Sequence, residues 1–186
     1  MHWFGEGAWW KTRVEVALMI ESTYGRTMHR LVSLAVFLLL VVIAAAVGGQ
    51  FVGGEWYQAM QQPSWNPSAM VTAPVWAVLY VLMAVSAWMI WDAMRGLARV
   101  ALGWWSLQLL LGICWSWMFF GLHRVGWALA AMGLWLLVVL IVIRAFRAIK
   151  PEASGLMMPV AAWLLFAWVL NFAQWQLNGG GIKSIF

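Results

Sequence analysis

Apolar residues along the chain gather into five long blocks, at 31–49, 73–91, 100–120, 125–143 and 155–177, separated by short polar or charged stretches. A lipid-spanning helix takes about 20 predominantly apolar residues, so each block has the length of one crossing. Runs such as FLLLVVIAAAV and LWLLVVLIVI do not alternate. A spanning barrel would alternate over segments of about ten residues, which excludes it. The pattern predicts an all-α membrane protein, a bundle of five transmembrane helices in one domain over 31–178. An amino-terminal arm at 1–30 and a tail at 179–186 flank it.

The stretch 53–80, GGEWYQAMQQPSWNPSAMVTAPVWAVLY, breaks this pattern between the first two blocks. Proline fixes φ and lacks a donor, so Pro63, Pro67 and Pro74 exclude an uninterrupted helix from Gln62 to Val75. Disordered segments are poor in aromatics, whereas this one carries Trp56, Tyr57, Trp65 and Trp76. An ordered first loop is therefore expected, lying as a lid across the mouth of the bundle.

Composition removes the soluble alternative, because 65% of the residues are hydrophobic and 9% charged, against about 25% charged in an average soluble domain. The charges that remain are lopsided. Lys11, Arg13, Arg26, Arg30, Arg95, Arg99, Arg144, Arg147 and Lys150 fall on one side of the predicted topology, and only Arg124 and Lys183 on the other. By the positive-inside rule this places the amino terminus in the cytoplasm and the lid on the opposite face, as in a multi-pass protein of a bacterial cell membrane. The net charge of +5 thus reads as topology, and no basic patch suggests nucleic acid.

The arm admits several readings. Trp10, Val14, Ala17 and Leu18 share one helical face, as in a helix lying in the interface, but Glu21 falls on that stripe. Met19 or Met28 as the true start is an alternative. A signal cleaved after Ala44 and Ala46 is another, although the apolar run exceeds the usual 7–15 residues of such a core.

Polar residues inside the blocks mark either helix cross-links or a site. Pro159, Trp163, Ala167, Leu170, Asn171 and Gln174 fall on one helical stripe; Trp104, Gln108, Leu111, Trp115 and Phe119 form a second; Trp76, Tyr80 and Met83 a third. Rings, small residues and a few hydrogen-bonding groups together suit a cavity for a flat apolar ligand. The chain has 17 Trp. An interfacial belt accounts for Trp3, Trp9, Trp10, Trp88, Trp91, Trp105 and Trp127, and less well for Trp115, Trp135, Trp163 and Trp168, which stand away from block ends.

Ordinary catalytic chemistry is absent from the sequence. Cys114 is the sole cysteine, the three histidines have no metal-ligand spacing, and no carboxylate pair or phosphate-binding glycine loop occurs. No obligatory cofactor or metal is expected.

The motifs taken together carry a resemblance. W-Y-x5-P-x-W-x-P at Trp56, Tyr57, Pro63, Trp65 and Pro67 is followed by P-V-W-x3-Y at Pro74 to Tyr80 and W-x3-F-F-G at Trp115 to Gly121. G-W-A-L at Gly126 to Leu129 and P-x3-W-x7-L-N at Pro159, Trp163, Leu170 and Asn171 complete the series. In this order, over about 32–178, the chain resembles the tryptophan-rich sensory protein or translocator protein family, which includes the mitochondrial peripheral benzodiazepine receptor. The resemblance implies a five-helix membrane protein, often dimeric, whose cavity under the first loop takes porphyrins and other tetrapyrroles, with cholesterol or benzodiazepine-type drugs as ligands of some members. It implies Trp76, Trp115, Trp163, Ala167, Leu170 and Asn171 as lining, and Trp56, Tyr57, Pro63 and Trp65 as lid. Trp76 and Trp163 match two tryptophans tied to porphyrin breakdown. Gly112, Trp117 and Val160 depart from the family's usual Asn, Pro and Tyr, and Phe172 and Gln176 from the Tyr and Arg of its sterol motif.

The stripes add Tyr80, Gln108 and Phe119 to the candidate ligand-binding residues. Two function classes follow: a membrane protein that binds a protoporphyrin-type tetrapyrrole and senses or translocates it, or an enzyme using bound porphyrin as its own photosensitiser. A sterol or lipid binder is a third reading. A transporter proper would show an internal repeat and an intramembrane charge, and neither is seen. Ala44 and Gly48, or Gly103 and Gly112, leave room for a homodimer contact in lipid.

Overall fold

A computed structural model describes residues 9–93 and 96–179 of the chain. Among them are helices and loops and no strand. The helices are α1 (Trp9–Gly49), the short α2 (Glu55–Ala59), α3 (Ala69–Ala93), α4 (Gly96–Ser116), α5 (Val125–Ile149) and α6 (Pro151–Leu177). A π-helical turn, Trp117–Gly121, prolongs α4. Among the described residues, five stretches are long and apolar enough to cross a membrane: Thr23–Gly49, Ala69–Ala93, Gly96–Gly121, Val125–Ile149 and Pro151–Leu177.

The five long helices close a ring in which α1 packs on α3 and α4, α3 on α6, α6 on α5, and α5 on α4. Between helices in lipid there is little hydrophobic drive, so association depends on close packing and hydrogen bonds. At the end bearing most of the basic residues, the small side chains of Ala84, Ala87, Ala98, Ala101 and Ala153 are buried and let the backbones approach. Ser154 Oγ donates to the carbonyl of Ile143 at 2.9 Å, tying α6 to α5. Arg30 joins α1 to α3: it pairs with Asp92 at 3.4 Å, lies over the Trp88 ring, and its carbonyl accepts from Trp88 Nε1 at 3.0 Å.

Several boundaries differ from expectation. The arm and first span are one unbroken helix of 41 residues, about 60 Å long at 1.5 Å per residue. Within the described residues no break separates the arm from the first span, and the two form one helix from Trp9 to Gly49. Helix α3 starts four residues early and contains Pro74; membrane helices tolerate proline because neighbours re-satisfy the freed backbone groups. Helix α6 likewise starts at Pro151, a first-turn position where the missing N–H costs nothing. Trp105, expected in the interfacial belt, is instead buried in the core, its Nε1 donating to Met83 O at 3.1 Å and its ring edge-on to Phe37. Trp104 faces outward and so leaves the stripe assigned to it. Residues 1–8, 94–95 and 180–186, with Trp3, Arg95 and Lys183, lie outside the described residues, as do the side chains of Trp9 and Trp10.

Candidate functional site

The lid is built from a glycine turn, one helical turn and a set of ring contacts. Gly53 and Gly54 take φ of 96° and 93°, in the left-handed region that strains any residue with a Cβ, and so turn the chain out of α1. Helix α2 then sets Trp56 parallel to His123, 4.2 Å between ring centroids, and Tyr57 against Phe119 and Phe120. A turn follows in which Asn66 N donates to Pro63 O at 2.9 Å, and Trp65 meets Phe166 edge-on.

Amides fasten the lid to the end of α6. Gln174 Nε2 donates to Gln62 Oε1 at 2.7 Å, and Asn66 Nδ2 donates to the same oxygen at 3.1 Å. Tyr57 Oη accepts from Asn66 Nδ2 at 3.3 Å. Asn178 accepts from Gln61 N at 3.0 Å and donates to Gln61 O at 2.9 Å. Proline and rings alone were expected to brace this loop; four amide side chains share the task.

Beneath the lid lies a cavity of about 400 Å³, within the 300–1,000 Å³ usual for small-molecule sites. Its walls carry the indoles of Trp76 from α3, Trp115 from α4 and Trp163 from α6. Phe119, Phe120 and Phe166 add further rings, and among the described residues no charged side chain lines it. The π-helical turn matters here. Phe119 and Phe120 both fall within it and both line the cavity beside Trp115.

Two buried amides do different work. Asn171 Oδ1 accepts from Trp115 Nε1 at 3.1 Å and its Nδ2 donates to Val125 O at 3.2 Å, so one side chain orients the Trp115 ring and ties α6 to α4 and α5. Gln108 lies off the cavity, in the core: Oε1 accepts from Trp135 Nε1 at 3.0 Å, and Nε2 meets Met83 Sδ at 3.5 Å. Trp163 Nε1 is the buried side-chain donor left without a partner among the described residues. Such a group costs about 1–3 kcal/mol.

Of the residues proposed from sequence, Tyr57, Trp76, Trp115, Phe119, Trp163, Ala167, Leu170 and Asn171 meet in this lining. Trp56, Pro63 and Trp65 belong to the lid but stand away from the cavity wall, Tyr80 lines a neighbouring crevice, and Gln108 is a helix cross-link. Pro67, named in the lid motif but not assigned to the site, also lines the cavity where the lid enters α3, as do Asn66, Ser68 and Thr72, which were not singled out. Phe120, quoted in the W-x3-F-F-G motif but not assigned to the site, lines the cavity too, as does Phe166, which was not singled out although it stands one helical turn from Trp163. Among the departures, Val160 is fully buried in the core and Trp117 is exposed. Gly112 receives the Trp135 ring, which a Cβ there would meet at 2.8 Å.

These features define a five-helix membrane protein whose ordered first loop roofs an uncharged aromatic cavity. Residues 35–176 match the TspO/MBR family model. The chain is 36% identical to the translocator protein of Bos taurus over 148 residues, 76% of this chain and 88% of that protein. Similarity to protein CrtK of Rhodobacter capsulatus is 36% over 150 residues, 78% and 92% of the two chains. With the tryptophan-rich sensory protein of Cereibacter sphaeroides it is 32% over 142 residues, 76% and 89%. The chain belongs to the TspO/MBR family.

Proposed function

We propose that the protein binds a porphyrin-type tetrapyrrole in the cavity beneath the lid and acts as a sensor or translocator of that pigment. The observation that carries this reading is the wall of Trp76, Trp115 and Trp163, three indoles from three helices around a cavity that no charged side chain among the described residues lines. Indole faces favour a flat π-system, and a neutral lining suits an apolar macrocycle. The carboxylates of protoporphyrin would point toward Asn66, Ser68 and Gln174 at the lid side. A small rotation of the Trp163 ring on binding would give its unpartnered N–H an acceptor. The basic residues at the opposite helix ends support a cytoplasmic amino terminus with the lid facing away from the cytoplasm.

Titration of the protein in lipid nanodiscs with protoporphyrin IX, read by quenching of tryptophan fluorescence, tests the reading. Saturable quenching that weakens in Trp163→Phe and Trp76→Phe is expected; quenching that never saturates, or that the variants leave unchanged, contradicts it.

A second reading rests on Trp76 and Trp163 both lining the cavity: bound porphyrin, once excited by light, passes its energy to dissolved dioxygen, the oxidant, which adds to the macrocycle beside two oxidisable indoles. Illumination of the complex decides it. Bleaching to one discrete product, spared in both Trp→Phe variants, would make the protein an enzyme; binding without turnover leaves it a sensor or translocator.

A further inference from the structure

A second crevice of about 320 Å³ lies behind the first cavity, between α1, α3, α4 and α5. Its walls include Ala45 and Gly48 of α1, Ala77 and Tyr80 of α3, Gly112 of α4 and Trp135 of α5. Val52, Ala73, Trp76 and Trp115 line both spaces and so form the partition between them. Trp135 stands behind this partition, stacked on Trp76 with centroids 5.7 Å apart and planes within 12°, and 6.4 Å from Trp115. Its own orientation is fixed by the Nε1 bond to the buried Gln108.

The Trp135 ring reaches that position only by lying on the backbone of α4. A Cβ at residue 112 would stand 2.8 and 2.9 Å from two of its ring carbons. Any side chain at 112 therefore displaces the ring that backs Trp76. From this geometry we infer that Gly112 and Trp135 set the depth of the ligand cavity and select by ligand size. Trp135 braces the partition, keeps the rear crevice out of the site, and restricts binding to a flat ring system with short edge groups. Removal of the brace opens the rear crevice to a ligand carrying bulky aryl arms. This rests on the reading of the front cavity as a tetrapyrrole site.

Two porphyrins and a ligand-free measurement test it in nanodiscs. The wild type should bind protoporphyrin IX and disfavour tetrakis(4-carboxyphenyl)porphyrin by about tenfold or more, the order expected when a pocket rejects on shape. Trp135→Val should shrink that ratio mainly by tightening the aryl porphyrin, and Trp135→Phe, which keeps a ring, should fall between. Gly112→Ala should weaken protoporphyrin IX. In the absence of ligand, the exciton couplet of the stacked Trp76 and Trp135 indoles in circular dichroism should vanish in Trp135→Val and change in Gly112→Ala. A wild type that binds protoporphyrin IX with a size ratio unmoved by Trp135→Val overturns this inference and leaves the binding reading standing. A wild type that binds neither porphyrin removes the binding reading and with it the size selection, while a couplet changed by Gly112→Ala still upholds the brace. A couplet indifferent to Gly112→Ala overturns the brace itself.

Discussion

The two ends of the bundle solve the same problem in opposite ways. At the basic end, five buried alanines let α3, α4 and α6 approach closely, and Phe146, Ile90 and Met157 fill what is left, each fully buried. At the lid end the same helices present Trp76, Trp115, Trp163 and Phe119 around a cavity of about 400 Å³. Lipid supplies little drive to close such a space. Helices held together at one end by small residues can therefore afford to diverge around large ones at the other. A cavity follows from the distribution of side-chain size along the helices.

One substitution made at both ends tests this contrast most strongly. Ala87→Leu overpacks the closed end and should destabilise the protein by about 1–3 kcal/mol, with porphyrin affinity in the surviving folded protein little changed. Ala167→Leu projects into the cavity. It should leave stability within about 0.5 kcal/mol and lower protoporphyrin affinity by about tenfold or more, about 1.4 kcal/mol. Thermal unfolding and fluorescence titration on the two variants read both quantities; equal behaviour of the two would remove the distinction between the ends.

A smaller effect is expected at Asn171, whose amide joins three helices and orients Trp115. Asn171→Ala gives up two hydrogen bonds, each worth about 0.6 kcal/mol in membrane helices, so stability should fall by about 1 kcal/mol while porphyrin affinity falls with it. Loss of stability alone would make Asn171 a pure cross-link like Gln108. Haem and protoporphyrin IX should differ less still. Among the described residues the cavity lining holds no His, Cys or Met, and its one phenol, Tyr57, is already held by Asn66, so iron meets no nitrogen or sulfur ligand there, and the two affinities should agree within about threefold, under 1 kcal/mol. A Soret band of His-ligated haem would contradict this. The smallest change is expected for Ser116→Ala, which removes the 2.6 Å bond from Ser116 Oγ to Gly48 O between α4 and α1. It should cost about 0.6 kcal/mol and leave ligand binding alone.

Much of this architecture is legible in the sequence because lipid is a demanding solvent: five apolar blocks of spanning length leave few alternatives to five helices. The helix ends are less legible. Pro74 and Pro151 look like stops but sit inside α3 and at the first turn of α6, where a missing N–H is tolerated. The extension of α1 into the arm is announced only by the face of Trp10, Val14, Ala17 and Leu18, which Glu21 interrupts. In the site, helical spacing groups Trp163, Ala167, Leu170 and Asn171 as one cavity face. The same reasoning groups Gln108 with Trp115, yet Gln108 ends in the core, because period reveals a shared face and not what that face meets. Phe120 stands outside the helical stripe of Trp115 and Phe119, although the W-x3-F-F-G motif holds it, and the structure places it on the cavity wall within the π-helical turn. Gly112 reads as a lost polar group until the Trp135 ring is seen against it.

A structure of the protein with protoporphyrin IX bound examines the central assignment most directly. The macrocycle should lie under the lid among the rings of Trp76, Trp115 and Trp163, its carboxylates toward Asn66 and Gln174, with the Trp163 indole turned to share its proton. A pigment bound on the lipid-facing side, against Trp168 or Phe172, with the cavity beneath the lid unchanged, would contradict the account.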